Sequence, residues 1–395
     1  MPQTPSPSLG RRHLLGLGAA AATAVGALAV RPAAAAPAPA AEDSGLSFAA
    51  DGTFRVVQFN DTQDNHRTDV RTLQLMERTL DREKPQFVVL NGDVVNGDMT
   101  TAEQVRQAYN NVVLPMEERR IPWAVTFGNH DEDSAPATGM TEPKILEFLR
   151  SYPHNRNAAT RGVSGHANSV LTVRSPRGRG PGLALWLLDS GRYSPETVAG
   201  QKIEEYTYET VHADQVAWYR ERSLALEKQA GAPVPGLMFF HIPLWEHRFM
   251  WFGSPTEWTD EAHAKALAKH SIEGERNERE YTAHFNPGLF LAALERGDVK
   301  GIFCGHDHIN TYAGDYFGIR LGYGPGTGFA TYGLDGAEKH RLRGARVFDL
   351  DEQHPGVLKA TRTVLASDLG IDLSTKAQQL PEPRPLPEPR PLPAR

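Results

Sequence analysis

Five short apolar runs in this chain each end in a cluster of polar, metal-competent side chains, and that coincidence limits the fold more than any other feature. Phe54-Arg55-Val56-Val57-Gln58-Phe59 runs into Asn60-Asp61-Thr62-Gln63, and Phe87-Val88-Val89-Leu90 into Asn91-Gly92-Asp93. Trp123-Ala124-Val125-Thr126-Phe127 is followed by Gly128-Asn129-His130-Asp131, Leu237 to Phe240 by His241-Ile242-Pro243, and Ile302 to Cys304 by Gly305-His306-Asp307-His308. Runs this short, rich in β-branched and aromatic residues, read as buried strands; Leu183 to Leu188 is a further one. Val70, Leu73, Met76 and Leu80 recur at helical spacing ahead of Pro85, as do Val105, Tyr109, Val112 and Met116, and Gly288 to Glu295 reads as a third helix. Strands alternating with helices predict an α/β architecture. In open α/β sheets, sites form outside the carboxyl ends of the strands, so these clusters converge on one edge.

The residue types at that edge define its chemistry. Carboxylates, imidazoles and amide oxygens are ligands for Zn, Mn or Fe. A thiolate set is excluded because the chain has one cysteine, Cys304, and its apolar neighbours mark it as a small core residue. Gly92, Gly128 and Gly305, beside the candidate ligands, allow tight turns and close backbone approach.

In this order, Asp61-x-Gln63, Gly92-Asp93, Gly128-Asn129-His130-Asp131, His241 and Gly305-His306-x-His308 resemble the signature of calcineurin-like metallophosphoesterases. The resemblance implies a four-layer αββα sandwich of two mixed β-sheets flanked by helices. It also implies two divalent metal ions, Mn, Fe or Zn. Asp61, Gln63, Asp93 and His308 would hold the first, and Asp93, Asn129, His241 and His306 the second, with Asp93 shared. The implied reaction is phosphoester hydrolysis, a phosphomonoesterase reaction by a metal-bridging hydroxide. His130 would be the general acid, and Asp131 would either orient it or cap its turn. The substrate would be a small phosphorylated molecule. A phosphodiesterase or nuclease on the same site is the alternative, and a non-catalytic metal- or phosphate-binding protein a further one.

Two positions depart from the family pattern. Gln63 stands where the first motif has His, and an amide oxygen is a harder and weaker donor, so metal binding is expected to shift toward Mn or Fe(II). Asn96 stands three residues after Asp93, where purple acid phosphatases place a tyrosine ligand. Leu187-Leu188-Asp189-Ser190-Gly191, Phe240 to Leu244 and Gly301 to Asn310 resemble the secreted branch related to those enzymes, here lacking the Tyr. His66 and Asp64 read as neighbours of the ligands or as surface residues, and Asp189 as structural. Trp245, Phe249, Trp251, Phe252 and Trp258 read as loop packing, or else as an aromatic lip over the substrate.

The ends differ from this region. Residues 1–41 hold no acidic residue, the pair Arg11-Arg12, an Ala/Gly/Leu-rich stretch from Leu14 to Val30 and an Ala/Pro tract. That order is the anatomy of a twin-arginine export signal with its processing region, which predicts use of the Tat machinery and a secreted protein. An uncleaved anchor is the alternative, though the apolar stretch is short for a membrane span and nothing later in the chain could cross. Removing Arg11, Arg12 and Arg31 leaves 39 basic against 48 acidic side chains, a net of −9 that argues against stable nucleic-acid binding. The folded domain is expected over 44–369. Residues 370–395 end in Pro-Glu-Pro-Arg-Pro-Leu from Pro381 and again from Pro387, which predicts a disordered tail.

Overall fold

The computed structural model describes residues 44–387 apart from 159, 179 and 204–206, so the expected signal over 1–41 lies outside the described residues. The chain begins with β1 (Leu46–Ser47), β2 (Thr53–Phe59), α1 (Val70–Glu83), β3 (Phe87–Asn91), α2 (Ala102–Glu118) and β4 (Trp123–Thr126). Next come α3 (Ala135–Thr138), α4 (Glu142–Arg150), β5 (Ser169–Arg174), β6 (Pro181–Leu187), the small ribbon of β7 (Thr197–Val198) and β8 (Gln201–Lys202), and α5 (Ala213–Ala230). Then follow β9 (Gly236–Phe239), α6 (Trp245–Phe252), α7 (Asp260–Lys269), α8 (Leu289–Arg296) and β10 (Val299–Cys304). The last strands are β11 (Ala313–Tyr316), β12 (Ile319–Tyr323), β13 (Gly344–Asp351) and β14 (Leu358–Leu365).

These strands form two mixed sheets, one in the order β1-β5-β6-β9-β10-β12-β11 and the other β14-β13-β2-β3-β4. Side-chain alternation along the strands builds the layers. Phe54, Val56, Phe87 and Val89 point into a core shared with Leu183, Leu185, Leu187, Phe239 and Phe303 of the facing sheet. Their neighbours Val57, Phe59, Val88 and Leu90 point the other way, onto Met76 and Leu80 of α1, Val105 and Tyr109 of α2, and Ile145 and Leu149 of α4. On the far side Ala184, Trp186, Met238 and Ile302 meet Trp218 and Tyr219 of α5, Met250 of α6 and Phe290 of α8. Three apolar cores between four layers make an αββα sandwich.

The parallel stretches β2-β3-β4 and β6-β9-β10 run side by side within their sheets. Their carboxyl ends therefore lie at a common edge, with Asp61, Asp93 and Asn129 contributed by one sheet and His241, His306 and His308 by the other. Among the described residues no helix is long and apolar enough to cross a membrane.

The C-terminal segment departs from expectation. It does not leave the body at residue 370: Gln379 pairs antiparallel with Asp69, and Gln107 and Asn110 of α2 donate to the carbonyl of Arg384. Prolines lack donors, but their carbonyls accept, and buried amides on α2 give them partners that composition alone does not reveal.

Candidate metal centre

The site is built on strained turns. Asp61, Gln63, Asp93 and His306 all adopt positive φ, at 52°, 33°, 47° and 74°. Non-glycine residues seldom adopt such a conformation, and it persists where the surroundings over-determine it. Here backbone bonds do so: Asp61 N–H donates to Gly92 O at 3.1 Å and Gln63 N–H to Asp93 O at 2.9 Å, which stitches the end of β2 to that of β3. The adjacent glycines are steric necessities. A Cβ on Gly92 would lie 2.5 Å from His241 Nδ1, and one on Gly128 would lie 2.4 Å from Asp93 Oδ1.

Asp93, His241 and His306 form one buried group of metal-competent donors, and Asp61, Asp93 and His308 a second, with the donor atoms of each group within 4.8 Å of one another. Asp93 stands in both. His241 Nε2 lies 3.1 Å from Asp93 Oδ2 and 3.8 Å from Asp61 Oδ1, and His308 Nε2 lies 3.4 Å from Asp61 Oδ1. The other ring nitrogens are already committed. His241 Nδ1 lies 3.0 Å from Asn91 O, and His308 Nδ1 lies 3.1 Å from Thr331 Oγ1, contacts that leave Nε2 of each ring as the ligating atom.

Asn129 Oδ1, buried in this cluster, lacks any hydrogen-bond partner, and His241 Nε2 faces only the Asp93 and Asp61 carboxylate oxygens. Orphaned acceptors at full burial are rare and costly, and a cation would satisfy both. Carboxylate, imidazole and amide donors in two groups with one shared carboxylate thus fit divalent metal ions. The electrostatics mark the pocket as one that draws positive charge, a pull that a bound cation would take over from a proton on His241. Burial pushes the His241 imidazole down, yet the Asp93 and Asp61 carboxylates lift it to about 10. Burial and the nearby His241 push His306 down to about 3, so its ring is neutral and free to ligate.

Gln63 Oε1 accepts from Thr331 Oγ1 at 2.6 Å. That hydroxyl fixes an amide in the place of an imidazole and occupies one of its two acceptor directions. A Gln63→His substitution is therefore expected to increase the metal retained after dialysis against a chelator. Unchanged metal content in the variant would contradict this account of Gln63.

His130 sits beside the donors without joining either group. Its backbone N–H donates to Asp93 Oδ1 at 2.8 Å, and its Nδ1 lies 2.6 Å from Asp133 Oδ2. Burial lowers the imidazole, but Asp133 and Asp93 together hold it above its usual value. Asp133 is held in turn by the Arg192 guanidinium, which reaches back to Asn129 O at 3.0 Å, and by Tyr193 Oη at 3.2 Å.

Asp131 therefore does not orient His130. It is fully buried, and its carboxylate accepts the N–H groups of Asp93 (2.9 Å), Val94 (2.9 Å) and Gly128 (2.8 Å) and the hydroxyl of Tyr109 (2.7 Å). Of its two expected roles, orienting His130 or capping the turn, the contacts are those of the cap. The carboxylate on the His130 ring is Asp133, brought over it by the turn that its own N–H closes onto His130 O at 3.0 Å.

A cavity of about 370 Å³ is lined by Gln63, Asp93, His130, His306 and His308, with Tyr208, Tyr281, Tyr332 and Glu278 among its walls. Tyr332 stacks on the His308 ring at 4.0 Å, and Tyr208 meets the edge of His306 at 4.2 Å. Glu278 accepts from Tyr332 Oη and from Ile309 N–H, both at 3.0 Å. No motif announced these four residues, which come from loops.

Of the tryptophans after His241, Trp245 and Trp258 stack on each other and Trp251 on His263, and none lines the cavity. Arg248 lies over the rings of Trp245 and Trp258, and Trp245 Nε1 donates to Ala283 O. Asp64 is buried and caps its own loop by accepting from Asn65 and Asp69 N–H. His66 offers its carbonyl to Asn111. Asp189 accepts from His166 and Gly191 N–H, a structural role. Asn96 bonds to Asp98 in a partly exposed turn, and burial pushes the Cys304 thiol well up.

The family model described as calcineurin-like phosphoesterase matches residues 54–310. Among curated proteins, "Probable inactive purple acid phosphatase 14" of Arabidopsis thaliana is 30% identical over 324 residues, covering 74% of either chain. "Probable inactive purple acid phosphatase 29" of the same plant is 29% identical over 356 residues, covering 82% of this chain and 84% of the relative. Among solved structures, a dimetal phosphatase from Danio rerio aligns over 79% of this chain and 99% of its own, with a TM-score of 0.45 and 13% identity.

Proposed function

The chain belongs to the calcineurin-like phosphoesterase family, and we propose that it is an active hydrolase of phosphate monoesters, working with two divalent metal ions. The observation that carries this reading is the membership of Asp93 in both buried donor groups, with the His130 imidazole set beside them. Asp61, Gln63, Asp93 and His308 would hold one ion, and Asp93, Asn129, His241 and His306 the other. Bound there, divalent ions would supply Lewis acidity toward phosphoryl oxygens.

The chain's own residues do the rest. His130 carries a proton for the leaving oxygen, and the 2.6 Å contact of its Nδ1 with Asp133 leaves Nε2 as the nitrogen that delivers it. Arg192 fixes Asp133 and, through Asn129 O, ties the proton donor to a metal ligand. Tyr208, Tyr281 and Tyr332 flank the substrate and restrict water around the leaving group.

The test compares nitrophenyl phosphate with bis-nitrophenyl phosphate, each with and without added Mn. Faster metal-dependent turnover of the monoester is expected. Preference for the diester would replace this reading with a phosphodiesterase. No turnover of either would make the chain a binding protein, in keeping with the word "inactive" in the names of its plant relatives.

A further inference from the structure

The hydrolytic site leaves one conspicuous motif unused, the tandem Pro-Glu-Pro-Arg-Pro-Leu that begins at Pro381 and again at Pro387. Beneath its first copy α2 buries an unusual row of carboxamides. Gln107 is 9% exposed, and Asn110 and Asn111 are fully buried, at positions three and four residues along one helix face. Each is oriented by a partner on the protein side. Tyr152 Oη donates to Asn110 Oδ1 at 2.7 Å, and Gln107 Nε2 donates to Asn111 Oδ1 at 2.8 Å.

The remaining donors of Gln107 and Asn110 face the tail. Gln107 Nε2 donates to Arg384 O at 2.7 Å, and Asn110 Nδ2 to Arg384 O at 3.2 Å and Pro385 O at 3.1 Å. A Pro-rich segment in extended form offers mainly acceptors, so a row of side-chain amide donors is its complement. Arg384 adds a charge contact to Glu77 of α1 at 2.6 Å, with the two side chains 23% and 29% exposed.

The same net reaches the loop that follows Gln63. Asn111 Nδ2 donates to His66 O at 3.1 Å and to Thr68 Oγ1 at 3.0 Å. Leu380 N–H donates to Thr68 O at 3.0 Å, Val70 N–H to Gln378 O at 2.7 Å, and Gln378 N–H to Asp69 Oδ2 at 2.9 Å. We propose that the α1–α2 face is a binding site for a polyproline II peptide of the Pro-Glu-Pro-Arg-Pro-Leu type. Its resident ligand is the chain's own segment 381–386, whose occupancy steadies the 64–69 loop through Gln107 and Asn111 and by drawing residues 378–380 against it. The site is separate from the hydrolytic cavity, and its test does not depend on catalysis.

The experiment uses a chain truncated after Leu380, which keeps the Gln379–Asp69 pairing but removes both repeats, and a labelled synthetic peptide spanning residues 381–392. Saturable binding to the truncated chain is expected by fluorescence anisotropy. Binding to the full chain should be far weaker, because the tethered copy competes at an effective concentration on the order of millimolar. Reversing the charge of Glu77 by Glu77→Arg should weaken binding by about tenfold, and a peptide carrying Arg384→Glu should recover it. Amide exchange over residues 65–69 should quicken on truncation and slow again when peptide is added. No binding to the folded truncated chain, or equal binding to both chains, overturns the site, and exchange over 65–69 that ignores the peptide overturns the loop coupling. If truncation prevents folding, the full chain decides. There the single reversals Glu77→Arg and Arg384→Glu should each quicken exchange over 65–69 and the double reversal restore it, and failure of that restoration overturns the proposal.

Discussion

His130→Ala is expected to lower kcat on an alkyl phosphate by about 10²–10⁴-fold while leaving metal content unchanged. The separation of these effects follows from the geometry. The contact that His130 makes with the donor groups is through its backbone N–H to Asp93 Oδ1, which alanine keeps. What alanine removes is the imidazole, held by Asp133 and standing at the cavity wall. A poor leaving group needs its oxygen protonated as the ester bond breaks, whereas nitrophenolate departs readily without a proton. The loss on nitrophenyl phosphate should therefore be much smaller than on an alkyl ester. Asp133→Asn keeps the shape of the pairing but weakens its hold on the ring, and should fall between wild type and His130→Ala on the alkyl ester. Near-full activity of His130→Ala on the alkyl ester, or an equal loss on both substrates, would remove His130 from the proton-donor role.

Strand ends were the most legible part of this chain because two independent signals coincide there. Buried runs such as Phe87 to Leu90 have nowhere to sit except between layers, and the polar residue that ends each run must lie at the sheet edge. The later strands were less visible. β14 is an edge strand, Leu-Lys-Ala-Thr-Arg-Thr-Val-Leu, mostly part-exposed, and its sequence carries little apolar pressure. It is placed by pairing with β13, a long-range fact that local pattern does not contain.

Residues that act through loops were hidden for a similar reason. Tyr208, Tyr281, Glu278 and Tyr332 reach the cavity from segments with no periodicity, and Tyr281 is positioned by a contact of its N–H with Asp307 Oδ1 that no spacing rule predicts. The exchange of Asp131 for Asp133 shows the limit most directly. Both carboxylates follow His130 closely in sequence, and only the turn geometry decides which one folds back on the ring and which one points inward. The tail shows the same limit from the other side. Its prolines lack N–H donors, and its partners are amides on a helix nearly three hundred residues earlier, as the Gln107 bond to Arg384 shows.

Asp131→Ala should lower the free energy of unfolding by several kcal/mol and empty the site of metal, a larger structural effect than any other single change at this edge. One carboxylate gathers the N–H groups of Asp93, Val94, Val95 and Gly128 and the Tyr109 hydroxyl, and alanine leaves all five without that acceptor inside the protein. An unsatisfied buried donor costs roughly 1–3 kcal/mol, and neighbouring losses of this kind are not additive, so the sum is an upper bound. The damage also has a direction. Asp93 carries positive φ and stands in both donor groups, and Asp131 is what anchors its N–H while Gly128 is drawn in from β4 by the same carboxylate. Releasing that anchor lets the β3 and β4 ends relax apart, and the shared ligand moves with them. Denaturant unfolding and metal analysis of the variant read both consequences. A residue acting only in the chemical step would behave in the opposite way, with turnover falling while the unfolding midpoint and metal content stayed at their wild-type values. That outcome would give Asp131 a role in the chemical step that its five hydrogen bonds to the surrounding turns do not suggest.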